Sequence, residues 1–183
     1  MERLQEQYNK KIIPSLKEKF GYANIMQVPK ILKVVVNVGL GTVKEDKKKI
    51  DAVVADLAKI TGQAPVRTKA KKSIAGFKVR ENQIVGAVCT LRGFRMYSFL
   101  DKLINTALPR VRDFQGIDPK NFDGRGSLHL GIKEHLVFPE ISPEALEHVF
   151  GLEVSIVTNA GRDDAAKELL SQMKFPFKNN KDS

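Results

Sequence analysis

Cysteine occurs once in this 183-residue chain, at Cys89. A single cysteine cannot build an internal disulfide framework, which suits a protein of a reducing compartment. No apolar run approaches the roughly 20 residues that a helical membrane span needs. The opening MERLQEQYNKK is polar and has no apolar signal core, so export is not expected. Catalytic signatures are also missing: there is no phosphate-loop lysine motif, no HExxH and no GxSxG. Gly39 and Gly41 follow a strand-like run, but the third glycine of a dinucleotide fingerprint is absent, and tight-turn geometry accounts for the pair. His129, His135 and His148 match no zinc-ligand spacing, and one cysteine cannot complete a structural site. Glu134 and Glu140 flank an apolar turn without a nucleophile or cofactor motif beside them, so solvated element ends explain them better than acid–base chemistry. No metal, cofactor or small-molecule substrate is expected.

What the chain does carry is positive charge. Lysine and arginine total 31 against 21 acids, a net charge of +10. That balance favours a polyanion as partner. The charge is uneven. Glu140–Met173 holds the acids Glu140, Glu144, Glu147, Glu153, Asp163, Asp164 and Glu168 against only Arg162 and Lys167. The cationic surface must therefore come from the first two thirds. Its centre is Val66–Arg80, VRTKAKKSIAGFKVR, with Arg67, Lys69, Lys71, Lys72, Lys78 and Arg80 and no acid. The middle, Ser73-Ile-Ala-Gly-Phe77, supplies a glycine and an aromatic. A flexible cationic loop between two strands fits phosphate neutralisation, and Phe77 fits stacking on a base or sugar. A merely solvated loop is the plain alternative, and the rest of the chain decides between them.

Residues 2–20 read as an amphipathic helix, with Leu4, Tyr8, Ile12, Leu16 and Phe20 in one stripe. Pro14 should kink or split it, and Gly21 should stop it. Residues 30–40 form the clearest strand. Alternation puts Leu32, Val34, Val36 and Val38 on the core face and Ile31, Lys33, Val35 and Asn37 on the other. A second helix over 44–61 carries Ile50, Val53, Val54, Leu57 and Ile60 inward. Thr42 is its candidate cap and Gly62 its stop. Gln63–Arg67 then returns to the sheet, so this strand–helix–strand unit predicts parallel strands with a right-handed crossover. Residues 83–92 form another strand. Val85, Ala87, Cys89 and Leu91 face the core, and Thr90 and Arg92 face outward. A third helix over 94–109 is followed by Pro109, and Asp113–Gly126 reads as a long surface loop. Short strands at 127–132 and 151–158 and a final helix at 163–173 complete the order. The whole is read as one domain, 1–178, with the basic loop 68–80 as an extension and 179–183 as a flexible tail.

Several strands independently present one polar face. Lys33, Asn37, Gln63, Arg67, Thr90 and Arg92 are the kinds of residue that read phosphates, ribose hydroxyls and base edges. KVVVNVGLG (33–41), TGQAPVRTKAKKSIAGFKVRE (61–81), LRGFRMYSFLDKLINTALPRVRDFQGI (91–117), GIKEHLVFPEI (131–141) and GLEVSIVTNAGRDDAAKELL (151–170) resemble the bacterial-type 5S-rRNA-binding family of large-subunit ribosomal proteins. The likeness runs from about Tyr8 to Phe177. The resemblance implies an α+β fold: a mixed, mainly antiparallel sheet with helices on one face and the other open for RNA. It implies that Lys33, Asn37, Gln63, Thr90 and Arg92 grip 5S rRNA in the central protuberance of a cytoplasmic ribosome. It also implies that the loop with Lys69, Lys71, Lys72, Ser73, Phe77, Lys78 and Arg80 reaches peptidyl-site tRNA. Further partners would be 23S rRNA and a head protein of the small subunit. An RNA-modifying enzyme using the same basic face would need a cofactor motif or an acid–base pair, and the chain offers neither. A peripheral membrane binder would need a basic amphipathic helix, whereas the densest basic segment is a loop.

Overall fold

The structure, a computed structural model, describes residues 3–41, 43, 46–141 and 149–178. Thr42, His148 and the tail 179–183 lie outside the described residues. The strands are β1 (Ile31–Gly39), β2 (Val66–Lys69), β3 (Ile84–Leu91), β4 (Leu128–Ile132) and β5 (Leu152–Thr158). They form one antiparallel five-stranded sheet in the order β2-β3-β1-β5-β4, in an α+β fold. The expected parallel pairing of β1 and β2 does not occur. β3 lies between them and pairs antiparallel with β2. The basic segment closes a local hairpin, which brings β3 in beside β2 more readily than a helical crossover brings in β1.

The chain divides into two compact units: Met1–Val34, Arg92–Leu130 and Ser155–Ser183 form the first, Val35–Leu91 and Gly131–Val154 the second. In the first, α1 (Arg3–Gln7) and α2 (Ile13–Phe20) are joined by a π turn, Tyr8–Ile12. Ile13 N–H donates to Tyr8 O, five residues back. The widened turn comes just before Pro14, which has no N–H to offer and whose ring would crowd the carbonyl four residues earlier. The helix is thus neither broken nor split. The same solution recurs in α4 (Gly93–Lys102) and α5 (Leu108–Arg110). Leu108 N–H donates to Leu103 O across a second π turn, Leu103–Ala107, and the helix continues through Pro109 instead of ending before it.

Leu4, Tyr8, Ile12 and Leu16 are buried, as are Met96, Tyr97, Phe99, Leu100, Leu103 and Ile104. The last helix, α6 (Asp163–Gln172), buries Ala165, Ala166, Leu169 and Leu170. Tyr8 donates its hydroxyl to Pro29 O at 2.9 Å. Burial, with Tyr97 nearby, pushes its pKa up to about 12. At the start of β1 the expected alternation fails: Ile31 is buried and Leu32 is 45% exposed. Parity assigns a side chain to a face, but burial also requires something to cover that face.

The second unit is organised by α3 (Lys47–Thr61). Asp46, not Thr42, is the cap seen among the described residues, accepting the N–H groups of Lys48 and Lys49. Gly62 ends the helix at φ +67°, a left-handed conformation that costs glycine little. Ile50, Val53, Leu57 and Ile60 are buried, with Val54 half-buried. Val36, Val38, Ala87, Cys89 and Leu91 are buried on the sheet, as their alternation predicted. Cys89 is a small core residue.

His135 is fully buried and stacks on Phe150 with ring centroids 3.9 Å apart. Its Nδ1 accepts the Phe150 N–H, so the proton sits on Nε2, which has no hydrogen-bond partner among the described residues. Burial lowers its pKa below the usual 6.5, partly opposed by Asp56. Because the folded state then binds fewer protons than the unfolded chain, stability is full above pH 6.5 and falls as pH drops toward the folded pKa. Urea midpoints measured at pH 7.5 and 5.5 should show this loss, and His135→Phe should flatten it. An equal loss in the variant would assign the effect to other groups.

Candidate nucleic-acid interface

β2 and β3 pair in the register Val66↔Val88, Arg67↔Ala87 and Thr68↔Gly86. Directly opposed residues share a face. Ala87 is fully buried, so Arg67 lies on the helix-covered side, and its guanidinium meets Asp51 of α3 at 2.7 Å. That pair is half-exposed and adds little stability. It does correct the expected placement: Arg67 does not share the polar face with Thr90. The residue that does is Thr68.

Gly86 is the floor of that face. A Cβ there would lie 2.7 Å from Thr68 Oγ1, 3.0 Å from Val38 O and 4.0 Å from Asn37 Oδ1. The missing side chain lets Thr68 and Asn37 approach over bare backbone. Thr68 escaped the sequence reading because the charge of Arg67 next to it drew the assignment. A glycine inside a strand was the available signal, since it marks close approach. Asn37 is exposed, and Thr68 and Thr90 are half-buried. None of these three side chains has a hydrogen-bond partner among the described residues. Gln63 sits just past α3 and donates its Nε2 to Thr90 O at 3.2 Å, which holds its amide against the end of β3. Lys33 and Arg92 belong to the first unit. Lys33 is half-buried on β1, and Arg92 is exposed as the residue before α4.

The basic loop is more ordered than a flexible connection. Ile74 and Val79 exchange backbone hydrogen bonds of 2.9 and 3.2 Å. Ala70 N–H donates to Gln83 O, and Asn82 N–H donates to Ala70 O. Ser73 Oγ accepts the Glu81 N–H at 2.9 Å, and Gln83 Oε1 accepts the Arg80 N–H at 3.0 Å. A 3-10 turn, Ala75–Phe77, forms the tip, with Phe77 72% exposed. Lys78 follows at φ +49°. Lys69, Lys71, Lys72, Lys78 and Arg80 form no ion pair among the described residues. The result is a pre-shaped cationic hairpin carrying an aromatic tip.

Among the described residues, no three His, Cys, Asp or Glu side chains are grouped to hold a metal ion. No helix among the described residues is long and apolar enough to cross a membrane.

The family profile described as ribosomal protein L5 matches residues 24–80, and a companion profile, described as the C-terminus of the same ribosomal family, matches residues 84–177. The large ribosomal subunit protein uL5 of Halothermothrix orenii is 58% identical over 177 residues, covering 97% of this chain and 99% of its own length. The uL5 proteins of Carboxydothermus hydrogenoformans and Burkholderia multivorans are each 54% identical, covering 97% and 98% of this chain and 99% and 100% of their own lengths. With profiles matching both parts of the chain and relatives matching nearly all of it, the chain belongs to the ribosomal protein L5 family.

Proposed function

We propose that the open face of the second unit binds 5S rRNA and that the cationic hairpin contacts peptidyl-site tRNA. As a member of its family the chain is a structural, non-enzymatic constituent of the large ribosomal subunit, working with ribosomal RNA and ribosomal proteins in the cytoplasm. The observation that carries the finer reading is the trio Asn37, Thr68 and Thr90 on one face, the first two closing over Gly86, with no hydrogen-bond partners for their side chains among the described residues. Carboxamide and hydroxyl groups over a flat floor suit ribose hydroxyls and base edges. Gln63 borders this face, while Lys33 and Arg92 would supply phosphate contacts from the first unit. Arg67, held by Asp51, would contribute its field more than a direct contact. On the hairpin, Lys69, Lys71, Lys72, Lys78 and Arg80 supply charge, Ser73 fixes the loop through its bond to Glu81, and Phe77 offers a stacking surface. Contacts to 23S rRNA and to a head protein of the small subunit complete the proposed setting.

The test is 5S rRNA binding by filter retention at fixed salt. Asn37→Ala, Thr68→Ala and Thr90→Ala should each weaken binding about tenfold, roughly 1.4 kcal/mol. Their melting temperatures should stay within about 2 °C, as for surface changes. Deleting 71–78 should leave 5S rRNA affinity intact and impair tRNA-dependent steps. Wild-type affinity in all three point variants would refute the open-face reading, and a drop in 5S affinity in the deletion would refute the division of labour.

A further inference from the structure

The first unit holds a cavity of about 370 Å³, walled by α1, by the end of α4 and by the residues that follow α6. Its floor is apolar: Leu4, Ile104 and Met173 line it and are all buried. Both π turns open onto it. Lys10 and Lys11 belong to Tyr8–Ile12, and Ile104 and Asn105 belong to Leu103–Ala107. The prolines explain why each turn forms. They do not explain why two such turns meet at one cavity, and π turns are frequent at functional sites.

Lys174 adds a third irregularity. It sits just past α6 at φ +67°, donating its N–H to Ser171 O, while the Phe175 N–H reaches Leu170 O. This left-handed position after a helix ordinarily takes glycine, and a residue with a Cβ is strained there. Strained positions of this kind cluster at functional sites. Here the strain places a lysine on the cavity wall.

The charges around the cavity are Arg3, Lys10, Lys11 and Lys174 against Glu6 and Asp101. Lys10 meets Glu6 at 3.7 Å, and Arg3 meets Asp101 at 3.4 Å. Both acids stay negative, so each offsets one cation. Lys11 and Lys174 are the surplus, exposed and without an ion pair among the described residues. On the α4 side, the Asn105 amide donates to the Asp101 carbonyl and to Asp101 Oδ1, both at 2.9 Å. Arg3 donates to the same carboxylate oxygen. Asp101 Oδ2 and Asn105 Oδ1 are left as acceptors with no hydrogen-bond partner among the described residues.

An apolar floor, free acceptors on one wall and two surplus cations on the others call for a ligand with a flat ring, a donor edge and an anionic group. The volume lies near the small end of the roughly 300–1,000 Å³ range of ligand pockets, which suits one nucleotide. We propose that this cavity binds a free guanine nucleotide, its base on Leu4, Ile104 and Met173, its ring N–H and amino group donating to Asp101, and its phosphate held by Lys11 and Lys174. Adenine has no adjacent pair of donors to offer a carboxylate, so the cavity discriminates against it.

The test is equilibrium dialysis of the full chain against labelled GMP, with AMP and inorganic phosphate in parallel. GMP should bind with a Kd below about 1 mM, and AMP and phosphate at least tenfold more weakly. Lys174→Gly removes the cation and relieves the backbone, so GMP affinity should fall at least tenfold while the melting temperature holds or rises. A purely structural lysine would give the second result without the first. Lys11→Gln should weaken GMP similarly, and Asp101→Asn should erase the preference for GMP over AMP. Asn37→Ala should leave GMP binding unchanged. No GMP binding at 1 mM, equal binding of GMP and AMP, or unchanged affinity in Lys174→Gly each overturns the proposal. So does displacement of GMP by 5S rRNA, which would assign the cavity to the RNA instead.

Discussion

Gly86→Val is expected to reduce 5S rRNA affinity about a hundredfold, close to 2.7 kcal/mol, which exceeds the effect of any single polar truncation on the same face. The first carbon of the new side chain would lie 2.7 Å from Thr68 Oγ1 and 3.0 Å from the Val38 carbonyl. The threonine can rotate away, but the carbonyl belongs to a paired strand and cannot. Both flanking groups would be displaced, and two methyls would stand where the RNA backbone is proposed to approach. Overpacking of this kind also costs about 1–3 kcal/mol of stability. Affinity should therefore be measured on protein shown to be folded by its urea transition. Gly86→Ala should fall between wild type and valine on both measures. A valine variant that folds and binds 5S rRNA normally would show that the RNA does not come near this floor.

Leu57→Ala should have the opposite profile: severe for folding, silent for RNA contact. Leu57 lies at the middle of the α3 stripe, is fully buried, and faces the covered side of the sheet. Truncating a buried leucine removes transfer energy and leaves a cavity, at about 3–5 kcal/mol. Against a total stability of about 5–15 kcal/mol, that is a large share. Chemical denaturation should show the midpoint falling with little change in slope. The fraction that remains folded should bind RNA as wild type does. A loss below about 1 kcal/mol would mean that α3 does not hold the second unit together as its burial indicates.

These two positions show which parts of the protein were readable from residue order. The inward stripes of the helices, the core side of β3 and the ends of α2 and α3 at Gly21 and Gly62 follow from local periodicity and backbone preference, and the structure keeps them apart from Phe20, Val54 and Val85, which are only half-buried. The π turns beside Pro14 and Pro109 were not legible, because such a turn is a cooperative adjustment of the surrounding helix that no single residue announces. Leu32 misled because alternation says nothing about where the covering layer ends.

Residue order alone determined the partner class, through the excess of lysine and arginine and their concentration in one segment. It also determined that Asn37 and Thr90 point away from the core, since side chains on a strand must alternate. Only the tertiary structure decided that β3 separates β1 from β2, that Thr68 and not Arg67 completes the polar face, and that the basic hairpin and the Asp113–Gly126 loop are held in shape. The physical reason is the same in each case. Strand register, an ion pair between residues 51 and 67, and backbone bonds between residues 117 and 176 depend on which distant segments meet, and distance along the chain carries no record of that.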